Sequence, residues 1–388
     1  MEYINKAVNW VEIDIDNLLY NLNGLRNKLP DGTKVCMVVK SNAYGHGSVE
    51  LAKIYEENGV DFLAVARTRE GIELRKAGIK LPILNLGFTN HLSIEDSILN
   101  DISITVFSSE YAREINEIAK KLNKPAKIHL KLDTGMSRLG YVVLDDEVSH
   151  IVDDIIEISK MDYIYIEGMY THFATADARN KEFENLQIHR FSIMVDELEK
   201  LGMRPPYVHC SNSAEILDTE EKYDMVRIGI VQYGLYPSDE VSHSVDLKPV
   251  MSFKAKISNI KVLNPGTSIS YGRIYFTTVR ERIATITVGY ADGFLRGRRN
   301  PYVYIKGEKC QIVGRICMDQ CMVRIPMELD VNIDDEVLIF GTKHVTVDDI
   351  ARDCDTINYE ILCDVGRRVP RVYIKDNKIV DIVDYLVD

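Results

Sequence analysis

The chain has 388 residues, 46% of them hydrophobic, and a formal net charge of -12. That length suits a large α/β domain plus a smaller one, and the acidity argues against nucleic acid or an anionic membrane surface as the main partner, though not against a small anion in one cationic cleft. The seven cysteines include no C-x-x-C pair, no apolar run approaches the ~18 residues of a membrane span, and MEYINKAVNWVEIDIDN carries acids where a signal peptide is apolar, so the chain reads as a cytoplasmic protein with reduced thiols and no metal site.

Eight strand-like runs follow in chain order: VCMVV (35–39), DFLAVA (61–66), PILNL (82–86), ISITVF (102–107), AKIHLKL (126–132), YIYIEGMYTHF (163–173), YVHC (207–210) and DMVRIG (224–229). Between them lie segments such as SSEYAREINEIAKKLN and EFENLQIHRFSIMVDELEKLG, whose apolar residues recur every three or four positions, as in amphipathic helices. Eight strand–helix repeats fit a (β/α)8 barrel. A doubly wound open sheet is the alternative, because strand count does not establish closure. In a barrel the C-terminal strand ends surround the site, and here they carry Lys40, Arg67, Lys131, His172, His209 and Arg227. Each alone is an ordinary loop-start residue; together they suit an anionic ligand.

After YGLYPSDE (233–240) the pattern changes. FKAKISNIKVL, ERIATITVGY, YVYIKG, QIVGRICM, DEVLIFG and RVYIKDNKIVDIVDYL are strands with turns between them and almost no helix. This predicts a barrel over residues 1–244 and a mostly antiparallel β domain over residues 245–388.

The stretch KVCMVVKSNAYGHG ends a buried strand on Lys40. A lysine kept neutral by burial or a nearby cation is the side chain that forms Schiff bases, and a loop with two glycines lets a ligand approach the backbone. VVKSNAYGHG resembles the pyridoxal phosphate attachment signature of alanine racemases. KLDTGMSRLG, EGMYTHFATAD, HCSNSAE, VRIGIVQYGLYPS, ISYGRIY, VGYADGF, VGRICMDQ and INYEILCDVGRRVPRVY are similar to further blocks of that family, in family order along nearly the whole chain.

The resemblance implies a barrel plus a β domain, pyridoxal phosphate on Lys40, interconversion of L- and D-alanine, and supply of D-alanine for peptidoglycan. Lys40 and Tyr271 would be the two bases, on opposite faces of the substrate, Lys40 serving the D-enantiomer and Tyr271 the L-enantiomer. Free tyrosine ionises near pH ~10, so such a base needs help, which the family draws from cationic groups and the histidine matching His172. Arg227 would bond the pyridine nitrogen. Tyr44, Asn212, Ser213, Tyr359 and the backbone N–H groups of Gly229 and Ile230 would hold the phosphate. Arg138 and the backbone of Met318 would receive the substrate carboxylate, Tyr290 and Tyr359 would narrow the access route, and Lys131 matches a position carbamylated in many members. Because Tyr271 falls in the β domain and Lys40 in the barrel, the family resemblance implies a head-to-tail homodimer that completes each site across subunits.

Other readings stand beside this one. A serine or broad-specificity racemase fits the same blocks, and a decarboxylase on the same scaffold is disfavoured by the SISYGRIY tyrosine and by Arg227. A non-catalytic pyridoxal phosphate carrier would not need the second base. His46 reads as a structural hydrogen-bonding residue and Trp10 as packing. A His209–Cys210 nucleophile pair is disfavoured because strand neighbours face opposite ways.

Overall fold

The computed structural model describes residues 6–144, 148–219, 222–341 and 344–387. In chain order its first ten strands are β1 (Asn9–Asp14), β2 (Lys34–Val38), β3 (Phe62–Val65), β4 (Ile83–Asn85), β5 (Ile102–Val106), β6 (Ala126–Asp133), β7 (Tyr141–Val142), β8 (Ile164–Tyr170), β9 (Tyr207–His209) and β10 (Met225–Ile228). Eight of them form one parallel sheet in the order β10-β2-β3-β4-β5-β6-β8-β9. Its two ends meet where the Arg227 N–H donates to the Ser211 carbonyl at 3.1 Å and the Val208 N–H donates to the Asp224 carboxylate at 2.7 Å. The sheet is therefore the (β/α)8 barrel, and all eight expected strands are present. They are apolar and buried on both faces, as parallel strands under a helical layer must be. The helix Ser109–Leu122 shows how that layer forms. Ser108 caps it by accepting the Tyr111 N–H, Asn123 ends it at φ +49°, and buried Tyr111, Ala112, Ile115 and Ala119 form the stripe that packs inward.

The remaining strands are β11 (Met251–Leu263), β12 (Ser268–Ile269), β13 (Tyr275–Phe276), β14 (Glu281–Ile286), β15 (Tyr302–Ile305), β16 (Glu308–Ile312), β17 (Cys321–Ile325), β18 (Glu336–Phe340), β19 (Arg371–Lys375) and β20 (Lys378–Val383). The long β11 pairs with both β18 and β14, so β11-β14-β17-β16-β15-β18 close into an antiparallel ring. Closure removes exposed sheet edges.

Two expectations need correction. Residues 1–244 do not all belong to the barrel: β1 runs antiparallel to β11, pairing Asn9 with Ala255, and parallel to β19. Trp10, Val11 and Ile13 are buried there, with Trp10 in the packing role expected of it. The second domain is also not nearly helix-free, since it holds Val347–Cys354, opened by a Thr346–Asp349 capping box, and Asn358–Cys363. The second of these presents Tyr359 to the barrel mouth.

Candidate active site

Lys40 follows β2 directly, and the chain then does something unusual. Ser41, Asn42, Ala43 and Tyr44 all have positive φ, between +52° and +55°, which is one turn of left-handed helix without a glycine. For L-residues that conformation costs about 1–2 kcal/mol each, so other interactions must hold it. Within the turn the Ala43 N–H donates to Val39 O and the Gly45 N–H to Ser41 O. Glu70 Oε1 accepts the Ser41 N–H at 2.6 Å. His46 Nδ1 lies 3.0 Å from both Ala43 O and Tyr44 O, the structural role expected of it. The turn carries Tyr44 into the barrel mouth, where it is buried beside Tyr359, ring centroids 6.0 Å apart.

Tyr44 faces a cradle. Asn212 Oδ1 is occupied in capping the short helix Ser213–Asp218, accepting the Ala214 and Glu215 N–H groups. Ser213 is thus free to point its Oγ at Gly229, whose N–H it accepts at 2.9 Å. A Cβ on Gly229 would stand 3.1 Å from Ser213 Oγ and 3.4 Å from Tyr44 Oη. The missing side chain leaves room for an anion's oxygens against the Ser213 and Tyr44 hydroxyls. Burial pushes the Tyr44 and Tyr359 phenols well up, so both stay protonated donors.

At the other end of the mouth Arg227 is 4% exposed. Its guanidinium donates to the backbone oxygens of Thr171, His209 and Cys210 and to the ring nitrogens of two histidines, His209 Nδ1 at 2.8 Å and His172 Nδ1 at 3.3 Å. A guanidinium cannot accept, so it sets the direction of the hydrogen bonds behind it. His209 Nδ1 accepts, its Nε2–H donates to His129 Nδ1 at 3.0 Å, and His129 Nε2–H donates to Glu167 Oε2 at 3.2 Å. Ser103 Oγ donates to the same oxygen at 2.5 Å. Burial pushes the Glu167 carboxyl up, but its hydrogen bonds from His129 and Ser103 outweigh this and leave it below its usual value. The buried Arg227 is therefore linked to a carboxylate through two imidazoles.

Cations crowd the mouth. Burial first, and the Arg138 guanidinium next, lower the Lys40 amine. Burial and then Arg227 bring Lys131 down to about 7, and its Nζ donates to Leu132 O at 2.5 Å. Burial, with Arg227, Arg138, Lys131 and Lys40 in support, keeps His172 neutral. Arg138 rides the loop after β6, which Asp133 organises by accepting the Gly135, Ser137 and Arg138 N–H groups.

The structure gathers Lys40, Tyr44, Lys131, Arg138, His172, Asn212, Ser213, Arg227, Gly229, Ile230 and Tyr359 around one cavity of about 900 Å³. It does not bring Tyr271, Tyr290 or Met318 there. These lie on the β domain, exposed at 68%, 43% and 52%. Tyr271 borders a separate groove with Ser270 and Cys317, and the Tyr290 and Ala291 N–H groups donate to Cys317 O and Met318 O. Ser270, just before Tyr271, sits at φ +66°, ψ -178°, a conformation nearly reserved for glycine. Its Oγ is held by a hydrogen bond to Arg315 O at 2.6 Å. Two strand-end residues are displaced from the expected rim. Arg67 is exposed and begins a helix, and His209 is wholly buried beneath Arg227. Sequence reasoning missed His129 and Glu167; the available signal was charged residues inside apolar barrel strands. It also missed Cys363, which lines the cavity.

The fold and the cavity define a two-domain barrel enzyme, with a suppressed amine, a buried guanidinium and an oxyanion cradle at the C-terminal ends of its strands. Comparison with known proteins makes the class specific. Residues 13–237 match the model of the alanine racemase N-terminal domain and residues 250–373 that of the alanine racemase C-terminal domain. A relative called alanine racemase 2, from Caldanaerobacter subterraneus subsp. tengcongensis, is 43% identical over 381 residues, 97% of each chain. The structure of alanine racemase from Clostridium difficile 630 is 51% identical, with a TM-score of 0.95 over 98% of this chain and 99% of that one. That of Bacillus anthracis alanine racemase with bound L-Ala-P is 36% identical, with a TM-score of 0.92 over 98% of both chains. The chain belongs to the alanine racemase family and is an amino-acid racemase, an isomerase.

Proposed function

We propose that the chain interconverts L- and D-alanine with pyridoxal phosphate held on Lys40, and that a second copy of the chain completes each site with Tyr271. The convergence of Lys40, the Gly229 cradle and Arg227 in one cavity carries this reading. Ser213, Tyr44, Tyr359 and the Gly229 and Ile230 N–H groups would hold the phosphate, with Asn212 shaping the loop by its cap. Arg227 would meet the pyridine nitrogen as a donor that has no proton to give up. When bound, the cofactor supplies an electron sink for charge developing at the substrate Cα.

The chain's own residues do the rest. Lys40, its amine lowered from its ordinary pKa by burial and Arg138, would take or return the Cα proton on one face, and Tyr271 on the other. His172 accepts from Arg227 at Nδ1, which leaves its Nε2–H as the donor within the cavity. Arg138 and the Met318 backbone would bind the carboxylate, and Tyr290 and Tyr359 would narrow the access route. A buried Lys131 near neutrality is an amine that carbon dioxide can carbamylate, and the charge so added would face Arg138.

Tyr271 is exposed and outside the cavity of its own chain, which supports the head-to-tail homodimer. No helix among the described residues is long and apolar enough to cross a membrane. With seven free thiols, a cytoplasmic enzyme supplying D-alanine for peptidoglycan is the reading we adopt. L-alanine incubated in deuterium oxide with the cofactor-supplied protein tests it. D-alanine deuterated at Cα is expected, together with a visible absorbance band that borohydride and Lys40→Ala both abolish. The band without D-alanine would overturn the substrate, and no band would overturn the cofactor.

A further inference from the structure

The left-handed turn after Lys40 is not held by the barrel alone. Four successive carbonyls from the end of the turn onward, Ala43 to His46, are all engaged, and their partners divide in two. Ala43 O and Tyr44 O go to His46 within the loop. Gly45 O accepts from Arg371 Nε at 3.0 Å, and His46 O from the Tyr373 hydroxyl at 2.9 Å. Both donors lie on β19, in the C-terminal domain. A third contact comes from near the end of the chain, where the Tyr385 hydroxyl donates at 3.1 Å to Asn42 Oδ1, which also accepts the Ser48 N–H.

The clamp is built to be rigid. Arg371 is completely buried, and its remaining donors reach Val365 O, Gly366 O and Val369 O, so one side chain ties the turn to the loop before β19. The Arg367 and Arg371 guanidiniums lie over the Tyr385 ring at 5.0 and 5.5 Å. The fit is close: a Cβ on Gly45 would strike the Leu362 carbonyl, and one on Gly47 the Tyr373 hydroxyl.

We infer that the C-terminal domain serves the site of its own chain by clamping the left-handed turn that aims Lys40, with Arg371, Tyr373 and Tyr385 as positioning residues. This rests on the reading of Lys40 as the attachment lysine. Each β domain then has two tasks, one for its partner's site through Tyr271 and one for its own through this clamp. The strain explains why a clamp is needed, since four L-residues at positive φ relax unless the surroundings over-determine them.

The test uses the full-length protein and one hydroxyl. Tyr385→Phe keeps the ring over the arginines and removes the bond to Asn42. Amide hydrogen exchange of residues 41–48 should accelerate about five- to tenfold, the local equivalent of one lost hydrogen bond, with barrel strands unchanged. Turnover should fall about three- to tenfold while KM moves less than about twofold, because binding groups stay in place and the reacting amine does not. Adding Ser41→Gly, which accepts positive φ without help, should recover much of both losses. Tyr20→Phe, which loses only a surface bond to Asp246, should change neither. Arg371→Lys should exceed Tyr385→Phe if it folds. Exchange and kcat at parental values in folded Tyr385→Phe would overturn the clamp, as would a loss that Ser41→Gly does not relieve. The exchange measurement needs no racemase activity, so failure of the functional reading would show separately as absent turnover in the parent.

Discussion

The barrel mouth and the face around Tyr271 are opposites. The mouth lies within the barrel, and its amines are lowered by burial and by the guanidiniums of Arg138 and Arg227. The Tyr271 face is exposed and borders a groove that holds neither the cradle nor a lysine amine from the mouth. Both store backbone strain, four residues at positive φ after Lys40 and one at Ser270 before Tyr271. Strain of this kind persists where geometry is being held for a task. The contrast teaches that the groups of the mouth are preorganised within one cavity, while Tyr271 stands exposed outside it, as the proposed sharing of sites between two chains requires.

If that division is right, damage to the two halves should differ in kind. Lys40→Ala should lower turnover by about 10⁴-fold or more and abolish the visible absorbance band. Tyr271→Phe should lower turnover by about 10²–10⁴-fold, the range of general acid–base groups, with band and melting temperature unchanged. Proton exchange at Cα followed by NMR should then suffer more from L-alanine than from D-alanine. Equal loss of cofactor and activity in both variants would break the contrast.

Within the mouth, the relay behind Arg227 comes next in size. Glu167→Gln leaves an acceptor oxygen at its end and Arg227 still sets both histidine tautomers, but the charge that draws on the relay is gone. A hydrogen bond to a charged group contributes about 1.5–3 kcal/mol, which sets a fall in kcat of about 10–100-fold with KM little moved; steady-state kinetics checks the split. Gly229→Ala places a methyl in the cradle, and equilibrium titration should show cofactor affinity reduced about tenfold, or about 1.4 kcal/mol.

The smallest effect concerns stability. An unfolded lysine binds its proton below an ordinary value of 10.5, while Lys131 in the fold does so only below about 7. Between those limits the unfolded chain holds more protons, so stability contributed through this residue rises with pH across that window. Lys131→Met should therefore be more stable than the parent near pH 7 in carbon dioxide-free buffer, and the gap in melting temperature should close towards pH 10. A gap constant with pH would mean that the lysine is protonated in both states.

Much of this was legible in the sequence because it is local. Runs such as VCMVV and ISITVF announce buried strands, and SSEYAREINEIAKKLN announces its cap and its stripe. Lys40, Lys131, His172 and Arg227 were legible because barrel topology places strand ends together, and the other cavity residues through the family resemblance. What escaped is long-range or contrary to propensity. NWVEID alternates like a strand, but nothing local says that its neighbours are Ala255 and Arg371. SNAY gives no sign of a left-handed turn, since glycine, the usual marker of positive φ, is absent from those four positions. The helix carrying Tyr359 lies among strand-like runs. His129 and Glu167 are ordinary within their strands until the barrel closes and brings them to His209.

The central proposal is that a working site takes Lys40 from one chain and Tyr271 from another. Mixing Lys40→Ala with Tyr271→Phe under conditions of subunit exchange tests it directly. Each mixed dimer would hold one site with both residues and one with neither, so random pairing should restore activity to about a quarter of the parent from two nearly inactive proteins. Mixed dimers that form and stay inactive would contradict the account.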